Sequence, residues 1–155
     1  MATTKKAVTK DAIAILKADH KKVSGLFAEF EKARAASTKK RLVSSICSEL
    51  SVHTQVEEEI FYPAVKAALK DKVLVPEANV EHATIKDLIG QIEGVDAGTE
   101  MYDAKVKVLS EYVKHHVKEE HTEMFPKAAK TRLDMLALGA QIAARKSELL
   151  SASAN

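Results

Sequence analysis

The sequence contains no tryptophan, one cysteine, three prolines and five glycines in 155 residues. A single cysteine, Cys47, excludes a disulfide within the chain. Few Gly and Pro beside abundant Ala, Lys, Glu and Leu make a helical composition. Four Phe and three Tyr leave a core that must be mostly aliphatic. No stretch approaches 18 uninterrupted apolar residues, so no membrane-spanning helix is expected. Met1 to Lys10 lacks the apolar run of a secretory signal, and the chain reads as cytoplasmic. Neither sign of charge dominates: 24 basic against 22 acidic side chains leave a net +2. That balance argues against a nucleic-acid partner, which usually needs a basic bias. What is present is 46% apolar and 30% charged residues, enough for one well-solvated domain with a real core.

Apolar residues recur at helical spacing along nearly the whole chain. Ile13, Leu16, His20, Val23, Phe27 and Phe30 form one face of a first helix, ending near Ala36. Ser37 or Thr38 is expected to cap a second, with the stripe Leu42, Ile46, Leu50, His53, Glu57, Ile60 and Phe61. Pro63 should loosen its end. After a connector at 71–75, Pro76 suits the first turn of a third helix bearing His82, Ile85, Leu88, Ile89 and Ile92. Gly94 and Gly98 mark a turn, and Thr99 can cap a fourth helix on which Val106, Leu109, Tyr112, Val113, His116 and Glu120 share a face. Pro126 is expected to close it. A fifth, Ala-rich helix is read from Leu133 to Leu150, packed outside the bundle or against a partner. The expected organisation is a disordered tail at 1–9, a bundle at 10–130 and an accessory C-terminal helix at 131–150, with Ser151 onward frayed.

The informative feature is an internal repeat. Asp19-His20 matches Glu81-His82, and Val23, Leu26, Phe27 and Phe30 match Ile85, Leu88, Ile89 and Ile92, all 62 positions apart. His53, Glu57 and Pro63 match His116, Glu120 and Pro126 at a separation of 63. Each half is thus a helix with one His followed by a helix with His-x-x-x-Glu. Two such hairpins pair as an all-α, antiparallel up-down four-helix bundle.

Residues four apart share a helix face. His53 with Glu57, and His116 with Glu120, therefore lie together among apolar neighbours. Imidazole and carboxylate on a core stripe are costly unless something satisfies them. Two facing pairs fit two cations, and mixed N and O donors suit iron, manganese or zinc. In this reading His20 and His53 hold one metal, His82 and His116 the other, and Glu57 and Glu120 bridge them, leaving positions open for a bridging oxygen and an external ligand. The competing interpretation is a buried salt-bridge network without metal.

The segments Leu16-Lys-Ala-Asp-His20, His53-Thr-Gln-Val-Glu-Glu-Glu-Ile-Phe-Tyr-Pro63, Glu81-His82 and His115-His-Val-Lys-Glu-Glu-His-Thr-Glu-Met-Phe-Pro126 resemble the hemerythrin-like, HHE cation-binding family, over about residues 10 to 130. The resemblance implies a non-haem centre of two iron ions (Fe2+/Fe3+), oxo- or hydroxo-bridged, that binds dioxygen or a related small ligand. It carries over His20, His53, Glu57, His82, His116 and Glu120, the set picked out by the repeat. There are two departures from the oxygen-carrying members. Their fifth His, one turn after the third-helix His, is Lys86 here. Their last carboxylate follows its His by five residues, whereas Glu120 follows His116 by four. A more symmetric four-His site points away from simple oxygen carriage and towards sensing, peroxide or nitric oxide chemistry, or iron handling.

A binding or sensing protein, with the fifth helix as a surface for a protein partner or a second copy, therefore ranks ahead of a di-iron enzyme of peroxidase or catalase type. No catalytic acid–base group is apparent. Glu123, in the repeat slot of Ile60, and His121 are candidates to join or support the centre. Asp19 and Glu81 read first as surface charges and second as groups that orient a ligand. Tyr112 reads first as a core aromatic and second as a hydrogen-bond donor to the centre, and His115 is expected at the surface. Cys47 is expected to be a packing residue.

Overall fold

A computed structural model describes residues 10–153; the expected N-terminal tail lies outside them. Helix α1 (Ala12–Lys32) starts where the Asp11 carboxylate accepts a hydrogen bond from the Ala14 amide at 2.8 Å. Its buried face, Ala12, Leu16, Asp19, His20, Val23, Phe27 and Phe30, follows the three-and-four spacing of the sequence. Helix α2 (Ala36–Val56) begins two to three residues earlier than expected. Ala35 is its N-terminal flank, and neither Ser37 nor Thr38 caps it. Asp71 accepts amides of Leu74 and Val75, opening α4 (Leu74–Glu93) inside the expected connector, with Pro76 in its first turn. Thr99 caps α5 (Glu100–Glu119) by accepting from the Tyr102 amide. Gly98, just before it, has φ +90°, a backbone conformation that favours glycine.

The second and fourth helices of the repeat do not end at their prolines. Each passes through one π-helical stretch, Glu57–Phe61 and Glu120–Met124, and continues as α3 (Tyr62–Leu69) and α6 (Phe125–Ala129). A proline ring collides with the carbonyl four residues back and brings no N–H donor. Widening the preceding turn relieves both problems: the Tyr62 amide bonds Glu57 and the Phe125 amide bonds Glu120, five residues back. Pro126 therefore loosens its helix, as expected for Pro63, rather than closing it.

Hairpins α1/α2–α3 and α4/α5–α6 form the antiparallel bundle. Its interior is divided into layers. One apolar cluster is built on Val23, Phe27, Leu42, Ile46, Ile85, Ile89, Val106 and Leu109 towards the hairpin turns. A second, on Leu16, Phe61, Tyr62, Val65, Ala78, Phe125 and Ala128, fills the opposite end. The repeated His and Glu residues fall between the two layers on every helix.

Helix α7 (Met135–Ser153) lies outside the bundle, against α1, α2 and the first π stretch. Its Ile142 is fully buried. Gly139 lets it approach closely, because a β-carbon there would strike the Lys10 carbonyl and the start of α1. Helical structure persists through Ser151–Ser153, where fraying was expected. No helix is long and apolar enough to cross a membrane among the described residues.

Candidate metal centre

All six residues singled out by the repeat are buried, between 0 and 8% exposed. Their side chains converge. His20 Nε2 and His53 Nε2 are 3.1 Å apart, and His82 Nε2 and His116 Nε2 are also 3.1 Å apart. Glu57 Oε1 lies 2.9 Å from His53 Nε2 and 3.3 Å from His82 Nε2. Glu120 Oε1 lies 2.8 Å from His116 Nε2 and 3.5 Å from His20 Nε2. Each carboxylate thus touches one imidazole of each histidine pair. The donor atoms fall into two overlapping groups, His20–His53–Glu57–Glu120 and Glu57–His82–His116, each with all donors within 4.8 Å of one another.

The four carboxylate–imidazole approaches are not aligned as hydrogen bonds. All four carboxylate oxygens of Glu57 and Glu120 are buried without a hydrogen-bond partner. Buried carboxylates are normally satisfied, because leaving them bare forfeits several kcal/mol, on the order of 1–3 for even one group. Lone pairs aimed at a shared space rather than at N–H groups are the arrangement of a cation's ligands. The residues present therefore fit two cations.

Outer residues hold the rings in place, and they follow the repeat. His53 Nδ1 donates to Asp19 Oδ2 at 2.9 Å, and His116 Nδ1 donates to Glu81 Oε1 at 2.8 Å. Each acid therefore orients the histidine of the neighbouring helix rather than the one beside it in sequence. A proton kept on Nδ1 leaves the Nε2 lone pair facing inward. The Lys146 ammonium of α7 in turn donates to Asp19 Oδ1. His20 Nδ1 sits 2.8 Å from His121 Nε2.

Charge follows from burial and these contacts. Burial disfavours the charged imidazole of His53, but Glu57 and the Asp19 hydrogen bond outweigh it and push its pKa up to about 10. His116 is likewise opposed by burial yet raised to about 10 by the adjacent Glu120 carboxylate and the hydrogen bond to Glu81. Glu57 is held well below the carboxylate range, its burial overcome by His53 and the neighbouring donors. Asp19 is also lowered, burial being outweighed by His53 and Lys146. Without a cation, protons on these histidines balance the carboxylates.

Tyr62 was missed by the sequence reading. Its buried hydroxyl lies 3.1 Å from His82 Nε2 and 3.2 Å from His116 Nε2, and its ring stacks on His82 at 5.1 Å. Burial and the nearby Glu57 and Glu120 raise its pKa well above the ordinary value. The repeat partner of Tyr62 is Phe125, which stacks on His20 at 5.9 Å without a hydroxyl. On a regular helix Tyr62 would lie about 140° round from Glu57. The π turn brings the fifth residue back nearly over the first, so Tyr62 faces the centre.

The same turn carries Glu123 outward, where it is exposed and pairs with Lys127. Tyr112 is 45% exposed and takes no part. His115 is exposed, as expected, against Glu81 and Glu119. Cys47 packs against the upper apolar layer, its thiol pushed up to about 11 by burial and Glu93.

Known proteins agree with this architecture. The chain is 26% identical over 111 residues to a DNA nickase of Nostoc sp., a span of 72% of this chain and 31% of that protein. It therefore corresponds to about a third of that relative's length. A solved hemerythrin HHE cation-binding domain-containing protein from Mycobacterium kansasii superposes with a TM-score of 0.78 at 23% identity, covering 92% of this chain and 89% of the other. Residues 11–128 match the sequence profile of the hemerythrin HHE cation binding domain, which takes in both hairpins and all six convergent residues. The chain belongs to the hemerythrin HHE cation-binding domain family.

Proposed function

We propose that this chain is a non-haem di-iron protein that binds dioxygen or a related small ligand, nitric oxide or peroxide, for sensing, binding or iron and oxygen handling. In this reading His20 and His53 hold one iron, His82 and His116 hold the other, and Glu57 and Glu120 lie across both. The observation that carries it is the pair of buried carboxylates with no hydrogen-bond partner, each touching one histidine of both pairs. A pair of redox-active ions bound there supplies electrons and open positions to an incoming small molecule.

The protein's own residues set what can reach those positions. A cavity of about 10 Å³ lies beside His20, His53 and His116, walled by Val23, Leu50, Ile85 and Val113. That is room for about one water-sized group, which excludes bulky guests. Asp19 and Glu81 keep protons on the outer ring nitrogens. No side chain at the cavity is free to act as an independent acid or base, which ranks binding above turnover.

The alternative is a di-iron enzyme that decomposes peroxide or reduces oxygen. It is favoured by the matching donor sets of the two halves. Lys86, at the position of the fifth histidine of oxygen carriers, is exposed and paired with Glu58 rather than turned inward.

Metal analysis of the purified protein, with visible spectra recorded anaerobically and then in air, tests the proposal. About two irons per chain and a band that comes and goes with oxygen are expected. Two irons with catalytic loss of added peroxide would move the reading to the enzyme. Zinc alone, or no metal, would sink it. Glu57→Ala should lose both ions and His116→Ala mainly one; full metal content in Glu57→Ala would contradict the shared carboxylate. Relaxation of supercoiled plasmid by the loaded protein would instead extend to this chain the activity named for the Nostoc relative.

A further inference from the structure

The two halves of the bundle repeat their donors but not their surfaces. On the α1–α5 side a cleft of about 330 Å³ opens to solvent. Three of its walls, His20, Val113 and Val117, are also walls of the small cavity at the centre. Cleft and cavity are thus separated by one layer of side chains. His121 lines the cleft and reaches His20 at 2.8 Å, while Ser24 lies at the exposed rim with Lys114 and Lys118.

The repeat identifies the counterpart of each residue on the other side. Ser24 corresponds to Lys86, and His121 to Glu58. There Lys86 Nζ donates to both Glu58 oxygens, at 2.9 and 2.7 Å, and the pair spans α4 and the first π stretch. Behind it, the Tyr62 hydroxyl lies against His82 and His116, whereas its counterpart Phe125 stacks on His20 and brings no hydroxyl. One side of a near-symmetric centre is bolted shut and the other has a short, polar-rimmed opening.

We propose that small ligands reach the centre through the α1–α5 cleft, past His121 and Val117, and not through the equivalent gap closed by Lys86 and Glu58. The proposal rests on the donor assignment above. The path suits the smallest ligands, because the inner cavity of about 10 Å³ has room for about one water-sized group. Lys114 and Lys118 at its mouth favour small anions, by raising their local concentration.

The test uses azide as probe and the iron-loaded protein. Ser24 is exposed and is not one of the six donors, so Ser24→Trp plugs the mouth while keeping the donor set. Stopped-flow association and dissociation of azide should both slow, about tenfold, with Kd unchanged, since an obstructed path alters both rates alike. Lys86→Ser, which opens the second side, should speed association about twofold. The double variant Ser24→Lys/His121→Glu, which copies the closed side onto the open one, should slow it as Ser24→Trp does. Unchanged azide rates in Ser24→Trp, with its melting profile intact, would overturn the path. Iron uptake without any azide binding would also overturn it while leaving the donor assignment standing. Failure of the unaltered protein to take up metal would remove both.

Discussion

The buried side chains of the centre do most of the chemistry available to this bundle, and burial and mutual contact fix their states. His53 and His116 are held protonated to about pH 10 in the metal-free protein by carboxylates they cannot avoid. A raised histidine pKa contributes stability that is complete below the ordinary value of 6.5 and is lost as pH rises towards 10. Glu57, held low, contributes stability that is complete above its ordinary 4.5 and is lost as pH falls. The metal-free protein should therefore have its highest Tm between about pH 4.5 and 6.5 and melt progressively earlier towards pH 10. Thermal melts across that range check it; a Tm that rises from pH 7 to 9 would contradict it. Ligation needs neutral imidazoles, so iron uptake at pH 8 should release protons, measurable with a pH indicator. Tyr62→Phe removes the hydroxyl that distinguishes one half from the other. It should weaken retention of one ion of the two, read by chelator competition, and cost about 1 kcal/mol in the metal-free fold.

At the level of elements, the π turns and α7 shape the site. Each π turn sits between a carboxylate and a proline, and each rotates the following aromatic residue over the centre. Helix α7 reaches the centre through one chain of contacts, Lys146 to Asp19 to His53. In the other half Glu81 is met instead by the exposed His115 at 3.3 Å and by Glu119, and not by α7. Lys146→Met should leave Asp19 short of a partner and destabilise the fold by about 1–3 kcal/mol. The same change should weaken metal held by His20 and His53 more than metal held by His82 and His116. Equal loss from both halves in a metal titration would show that α7 acts only through general stability. The exposed Arg145–Glu59 contact beside it should matter little, being screened by solvent.

For the whole molecule, the layered interior sets the expectations. Two apolar clusters enclose a polar plate whose carboxylates lack hydrogen-bond partners and, without a cation, are balanced by protons on the histidines. Whatever binds the folded state alone stabilises it by mass action. Adding iron anaerobically at a hundredfold over Kd should stabilise the fold by about 2.7 kcal/mol, seen as a higher Tm. An unchanged melt on saturating addition would count against binding at the plate. Ending the chain at Arg132 would strip the cover from α1 and α2 and remove fully buried Ile142. That truncated chain should keep its six donors yet melt earlier and aggregate on heating, which light scattering would register.

Sequence alone determined the parts of this protein that depend on periodicity. The 62- and 63-residue repeat, the three-and-four spacing of apolar residues and the two His-x-x-x-Glu pairs made the bundle and its six convergent side chains legible, because a regular helix maps spacing onto direction. Tertiary structure decided what that mapping cannot carry. Tyr62 turns in and Glu123 turns out because a π turn breaks the 3.6-residue rule at each proline. Asp19 and Glu81 serve histidines on neighbouring helices, contacts that only packing creates. Lys146 lies 127 positions from the aspartate it holds. The difference between an open and a closed side rests on which surface residues face each other across two helices, and a one-dimensional repeat treats those sides as alike.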